Sequence, residues 1–297
     1  MGRNELLWLL APLLLMPLGC AGHNPLPASP PLGAIHLPEP GVMEYEVVIP
    51  RGDAAEHVWV YLPANPARAK VPCVFIGPAG TRLFHGNELG DGDRPEHFPY
   101  VRAGFAVVAY SLDGPMDDKP TDRQLVEAAR AFKDADAGLL DERAAVDYAL
   151  AKVPQIDPKR LYAAGHSSAG TLSLLVAEND PRIAACIAYA PCCNVPKHLG
   201  PPLLRALDGA IPGEQDFLAR RSPNADVAKL TCPLFLFHAD DDSVVPAADV
   251  DEFAGLVQRT NAHTIYVHVP TGDHYDSMIP QGVPLAIRWL LALPAKS

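Results

Sequence analysis

The richest chemistry in the chain lies at Gly165-His166-Ser167-Ser168-Ala169-Gly170. The apolar run at 160–165 (RLYAAG) leads straight into it, and a helical pattern, TLSLLVAEN, follows at once. A serine at such a strand-to-helix turn is held in a strained backbone conformation with its hydroxyl exposed, as a nucleophile for acyl transfer must be. So tight a turn demands small residues two before and two after the nucleophile. For Ser167 these are Gly165 and Ala169; for Ser168 they are His166 and Gly170, and the imidazole would crowd the turn. The spacing therefore selects Ser167. The Ser168 N–H, at the start of the helix, then faces the developing oxyanion, where the helix end favours negative charge. The segment departs from G-x-S-x-G in carrying Ala169, and the competing reading is an ordinary glycine-rich turn.

The elements that must hold this turn are legible as a series. Alternating runs at 44–50 and 57–62 predict an antiparallel starting pair. Continuous apolar runs at 71–77 (VPCVFIG), 104–110 (GFAVVAY), 160–165, 183–190 (IAACIAYA), 233–239 (PLFLFHA) and 264–269 (TIYVHV) read as strands covered on both faces. Helical patterns fall at 141–153, 169–179, 247–259 and 282–293. Repeated strand–helix units of this kind predict an α/β domain over 41–297, with a mostly parallel sheet of about eight strands and helices on both faces.

With IDPKRLYAAGHSSAG, FHADDDSVVP and a late GDHY in this order, the chain resembles the α/β-hydrolase superfamily over essentially all of 41–297. Within it the resemblance is to the prolyl oligopeptidase catalytic domain and to dienelactone-hydrolase-like esterases. It implies a triad in the order Ser, acid, His. The acid belongs to Asp240-Asp241-Asp242, and the family's spacing of three residues before Val-Pro selects Asp242. The base implied is His274, in a glycine-bearing loop after the last strand. His268 falls within that strand and reads as core, and His263 precedes it at the wrong end. A second oxyanion donor is expected from Gly77-Pro78-Ala79-Gly80-Thr81. Pro78 has no N–H, so Ala79 and Gly80 are the candidates, Ala79 slightly ahead. The insertion at 196–221 is expected to form a short cap and, with 81–95, to shape substrate choice.

Three functions compete on these residues: a carboxylic-ester hydrolase working through an acyl-enzyme, a serine peptidase of the prolyl-oligopeptidase kind, and a catalytically inert hydrolase fold used for binding. The ordered Ser, Asp and His disfavour the third. Peptidases of the second kind usually carry an N-terminal selecting domain, for which a sheet beginning near residue 44 leaves no room. The expected partner is thus a small-molecule ester or peptide. A net charge of −11 and the lack of a Lys/Arg cluster argue against nucleic acid. No phosphate loop, dinucleotide fingerprint or Cys/His metal spacing appears, so no cofactor is expected. The acidic runs at 91–96 and 117–118 lack calcium-loop spacing.

The N-terminus reads as an export signal over 1–20: an apolar 6–18 run, broken by Pro12 and Pro17, ends at Gly19-Cys20. That junction resembles a bacterial lipoprotein site, which would make Cys20 the lipidated first residue of a protein held in the cell envelope. Pro17 stands where such sites usually have Leu, and the rival is cleavage after Ala21 and release to the periplasm or medium. Residues 21–40, with six prolines, read as an extended spacer outside the core. Cys73, Cys186 and Cys232 lie in apolar runs and Cys192 and Cys193 are adjacent, so no disulfide framework is expected, with room for a single bridge.

Overall fold

The computed structural model describes residues 30–51, 54–117 and 119–294. The export signal, Cys20 and the first part of the proline-rich stretch lie outside these residues, as does Asp118.

Nine strands form a single sheet in the order β1-β2-β3-β5-β4-β6-β7-β8-β9. Three at one edge are antiparallel: β1 (Ile35–Glu39), β2 (Val42–Arg51) and β3 (Ala54–Pro63). The other six, β4 (Val71–Ile76), β5 (Ala106–Tyr110), β6 (Ile156–His166), β7 (Ile183–Tyr189), β8 (Leu234–Ala239) and β9 (Thr264–Val269), run parallel. This is the α/β-hydrolase architecture that the apolar runs and the resemblance imply.

Alternation along the strands divides the core in two. Cys73, Phe75, Leu161 and Ala163 face one side, packing with Phe132, Val146 and Val176. These come from α2 (Asp122–Asp134), α3 (Leu139–Lys152) and α4 (Ser168–Asn179). Val74, Ile76, Tyr162 and Ala164 face the other, against Tyr100, Val101, Ala286 and Leu290. These belong to α1 (Arg94–Arg102) and α8 (Val283–Ala292). Strands covered on both faces need no polar alternation, which is why they read as unbroken apolar runs.

Two expectations change. The proline-rich stretch is not wholly a spacer, because its last part forms β1, the ninth strand, on the open edge of the sheet. Pro38 is tolerated there because an edge strand can leave an N–H out of the ladder. At the opposite edge β9 is only half covered. His268 is therefore not a core residue: its ring is exposed and its Nδ1 lies 2.9 Å from Asp240 Oδ1. The cap at 196–221 is helical, made of α5 (Val195–Ala210), kinked at Gly200 (φ 74°), and α6 (Glu214–Arg220). It is tied down by Lys133–Glu214 at 3.1 Å and by a two-pronged Arg221–Asp136 pair at 2.6 Å. Cys73, Cys186, Cys192 and Cys193 are buried free thiols.

Several carboxyls are buried beside the sheet. Arg51 meets two of them, Glu56 and Asp141, together with the half-buried Asp113, pinning the β2–β3 hairpin to the start of α3. Glu142 is 1% exposed, and its Oε1 has no hydrogen-bond partner. Burial, with Asp180 nearby, pushes its carboxyl up from 4.5 to about 8. The native state thus holds a proton that the unfolded chain releases. The stability this gives is full below about pH 4.5 and is lost as pH rises towards 8. Glu142→Gln should therefore unfold later than the parent at pH 8.5, by about 1–3 kcal/mol, and nearly together with it at pH 4.5. Thermal unfolding at the two pH values checks this, and equal shifts at both would contradict it.

Candidate active site

Strand β6 runs between β4 and β7 and stops at His166, and α4 begins at Ser168. Ser167 makes the turn in one residue, with φ 55° and ψ −122°. Its N–H donates to the Tyr189 carbonyl at the end of β7, 2.9 Å away. The need for small flanking residues has a direct cause. A Cβ on Gly165 would lie 2.3 Å from the Ala169 carbonyl oxygen and 2.4 Å from its carbon, both backbone atoms. Among the described residues the Ser167 hydroxyl has no hydrogen-bond partner, and Ser167 is less buried than its neighbours.

The three candidate aspartates after β8 separate cleanly. Asp240 pairs with His268 on the exposed edge. Asp241 accepts the backbone N–H of Asp273, 2.8 Å away. Asp242 is the buried one, its side chain wholly covered, and it accepts four hydrogen bonds of 2.8 Å each. Oδ1 takes the N–H groups of Val244 and Val245; Oδ2 takes His274 Nδ1 and His238 Nε2. Burial alone would raise this carboxyl, but the two imidazoles and two amides hold it well below the usual carboxylate range.

His274 sits in a loop whose shape is forced. Gly272 has φ 140° and a Cβ there would lie 2.2 Å from that of Ser277, while Asp273 has φ 44°. Asp273 Oδ1 accepts the Ser243 N–H at 2.8 Å, so the acid and base loops are stitched together in both directions. The base loop also reaches the elbow. His166 Nε2 donates to the His274 carbonyl at 2.7 Å, and the two rings are 4.7 Å apart. Glu96, in α1, lies 3.6 Å from the other nitrogen of His166. The structure thus brings Asp242 and His274 into direct contact and ties the His274 loop to His166, the residue that precedes Ser167.

The remaining candidates line the other side of the elbow. Ser168, as the first residue of α4, has no intrahelical acceptor for its N–H. Its hydroxyl accepts the Thr81 N–H at 3.1 Å, fastening the 77–81 loop to the helix start. Asn87 Nδ2 donates to the Ala79 carbonyl at 3.0 Å. This fixes the 79–80 peptide, with the Gly80 N–H pointing the opposite way, as in any trans peptide. Gly80 has φ 84° and open space around it, so its need for glycine is conformational. Beyond Ser168 and Thr81 a narrow recess runs under the cap, lined by Leu83, Phe132, Leu172, Leu218 and Arg221.

Sequence reading missed His166, His238, Glu96 and Asn87 as parts of the site. His238 alone carries a signal: it is the one polar residue in the buried strand LFLFHA, four residues before Asp242. The others reach the site through contacts distant in sequence. Gly165→Ala should cost about 2–4 kcal/mol and lower the unfolding midpoint, because the added methyl meets backbone. Midpoint and far-UV spectrum measure it, and an unchanged midpoint would show that the turn tolerates the group.

Comparison with known proteins agrees with this architecture. The family model of the prolyl oligopeptidase family matches residues 99–286. The acetyl esterase Axe7A of Xylanibacter ruminicola is 27% identical over 170 residues, which are 50% of this chain and 38% of that protein. The chain therefore spans well under half the length of this relative. Among solved structures, the acetyl xylan esterase from Paenibacillus sp. R4 is similar in fold, with TM-score 0.65, 17% identity, and coverage of 89% of this chain and 90% of its own. An acylaminoacyl peptidase gives TM-score 0.67 and 15% identity, covering 86% of this chain but 42% of its own. With the elbow, the acid loop and the base loop inside the matched region, the chain belongs to the prolyl oligopeptidase family.

Proposed function

We propose that residues 41–297 form one catalytic domain, a serine hydrolase that cleaves carboxylic esters through an acyl-enzyme. The observation that carries this reading is the 2.8 Å contact from His274 Nδ1 to the covered side chain of Asp242, in a loop bonded to His166, next in sequence to a serine in a strained left-handed turn. Ser167 is the nucleophile. His274 takes its proton through Nε2, the nitrogen left over when Nδ1–H is committed to Asp242, and later returns it to the leaving group. Asp242 fixes that tautomer and stabilises the imidazolium. The N–H of Ser168, with that of Ala79 or Gly80, receives the oxyanion. All these steps use protein groups alone. The likeness to an acetyl esterase and an acetyl xylan esterase supports an ester as substrate. The family's own description favours the peptidase alternative and makes it the outcome to test against.

Ester hydrolysis needs only the nucleophile, base and oxyanion donors. Amide hydrolysis also requires protonation of a poor leaving amine and a grip on the chain on both sides of the scissile bond. The kcat/KM for a short-acyl aryl ester should exceed that for the matched aryl amide by about 10³-fold or more, roughly 4 kcal/mol. Small esters and acylated sugars should release acid while proline-containing peptides stay intact. Ser167→Ala should lower kcat by about 10⁴-fold with the fold intact, whereas Ser168→Ala, which keeps its N–H, should retain turnover. Cleavage after proline with negligible ester turnover would establish the peptidase, and an inert Ser168→Ala beside an active Ser167→Ala would move the nucleophile by one residue.

The location proposed is the bacterial cell envelope, with residues 1–20 as export signal and Cys20 as lipid attachment site. The apolar 6–18 run and the Gly19-Cys20 junction support it. Cys20→Ser should move the protein from the membrane to the soluble fraction. A soluble wild-type protein beginning at Gly22 would replace the anchor with simple secretion, and an uncleaved N-terminus in the cytosol would remove both.

A further inference from the structure

A second imidazole converges on the acid. His238, the residue before the last of β8, has its side chain wholly buried, and its Nε2 lies 2.8 Å from Asp242 Oδ2, the same oxygen that binds His274 Nδ1 at 2.8 Å. A carboxylate only accepts, so the proton shared with it is on His238 Nε2. The opposite nitrogen, Nδ1, is buried with no hydrogen-bond partner among the described residues. An unpaired buried polar atom is costly, and an apolar side chain of similar size would avoid it. Packing alone therefore gives no reason for a histidine here; the bond to Asp242 does.

That bond has two effects. Val244 and Val245 pin Oδ1, so His238 is not needed to stop the carboxylate from rotating freely. What it does is bind Oδ2 alongside His274 and draw off part of its negative charge. A second N–H on one oxygen weakens the attraction of that oxygen for the His274 imidazolium. The other titratable groups around the pair are His166, its ring tilted against that of His274 and with Glu96 near its other nitrogen, Asp273 in the same loop, and Tyr275 against His166. Beyond β8, His268 is opposite His238 in register but paired outward to Asp240. Of these, only His238 shares the Asp242 oxygen.

We infer that His238 is a positioning residue for the hydrolytic reaction: through Nε2–H it fixes and partly neutralises the Asp242 oxygen that orients His274, and so sets how far into acid the enzyme works. The inference rests on the proposed roles of Ser167, Asp242 and His274.

The test is kcat/KM for an aryl ester between pH 5 and 9 in the full chain, for His238→Phe and His238→Gln. Phe keeps a buried ring without the donor; Gln returns an N–H in place of Nε2–H. The acid limb of His238→Phe should move to higher pH, so that activity falls about 10-fold at pH 6 and only about 2-fold at pH 9. His238→Gln should recover to within about 2-fold of the parent at both. Nitrogen NMR of the histidines gives a second readout without any substitution: His238 should carry its proton on Nε2 throughout the working range. A His238→Phe profile of unchanged shape, or a proton on Nδ1, overturns the inference. So does Gln failing as badly as Phe with an equal loss of unfolding midpoint, which marks a packing role. Failure of the site reading looks different, because Ser167→Ala would then retain turnover.

Discussion

The backbone of Ser167 is the constraint on which the site depends. A left-handed φ costs an ordinary L-residue about 1–2 kcal/mol, and it persists only where the surroundings leave no alternative. Here they leave none. β6 arrives from the interior of a nine-stranded sheet, α4 departs with its first nine residues buried, and the turn's own N–H is claimed by Tyr189. Because strand and helix meet in one residue, Gly165 must touch the backbone of Ala169. The same sharpness leaves the hydroxyl of Ser167 and the N–H of Ser168 side by side. One strained residue therefore presents both the proposed nucleophile and a proposed oxyanion donor.

The proposed base, His274, is delivered by a weaker support. β9 is an edge strand, half exposed, and cannot fix the loop that follows it by packing alone. Its order comes from sideways bonds instead. Asp241 and Asp273 each accept a backbone N–H from the other's loop, and His166 reaches from the elbow to the His274 carbonyl. The acidic run DDDS is thus three separate devices: Asp240 serves the edge, Asp241 the lacing and Asp242 the proposed chemistry. Only one of the three is buried enough for its charge to act strongly on an imidazole.

The strands were readable because burial on both faces erases polar alternation, and each continuous apolar run proved to be one. β1 was unreadable for the opposite reason: an exposed edge strand with a proline carries no pattern. α1 and α5 were hidden by internal prolines, Pro99 in one and Pro201 and Pro202 in the other, the latter beside a real kink at Gly200. In the site, the elbow is local and was legible from six consecutive residues. The contact from Asp242 to His274 spans 32 residues and that from His166 to His274 spans 108. Chain order could suggest the first of these only through family resemblance, and nothing in the sequence marked the second.

Burial does not by itself decide whether a carboxyl in this protein carries charge. Glu142 is as well covered as Asp242, yet burial pushes its carboxyl up to about 8, and Glu178 is pushed to about 8 as well. Each has an Oε1 with no hydrogen-bond partner. Asp242 is displaced the other way because both its oxygens are saturated by N–H donors. What separates them is the supply of donors, two from the backbone turn after β8 and two from histidines. A carboxylate so supplied stays ionised while sealed from water, and its charge is then poorly screened. In the proposed reaction, the positive charge formed on His274 as it accepts the serine proton meets an anion already fixed in place, so little reorganisation is left for the moment of reaction.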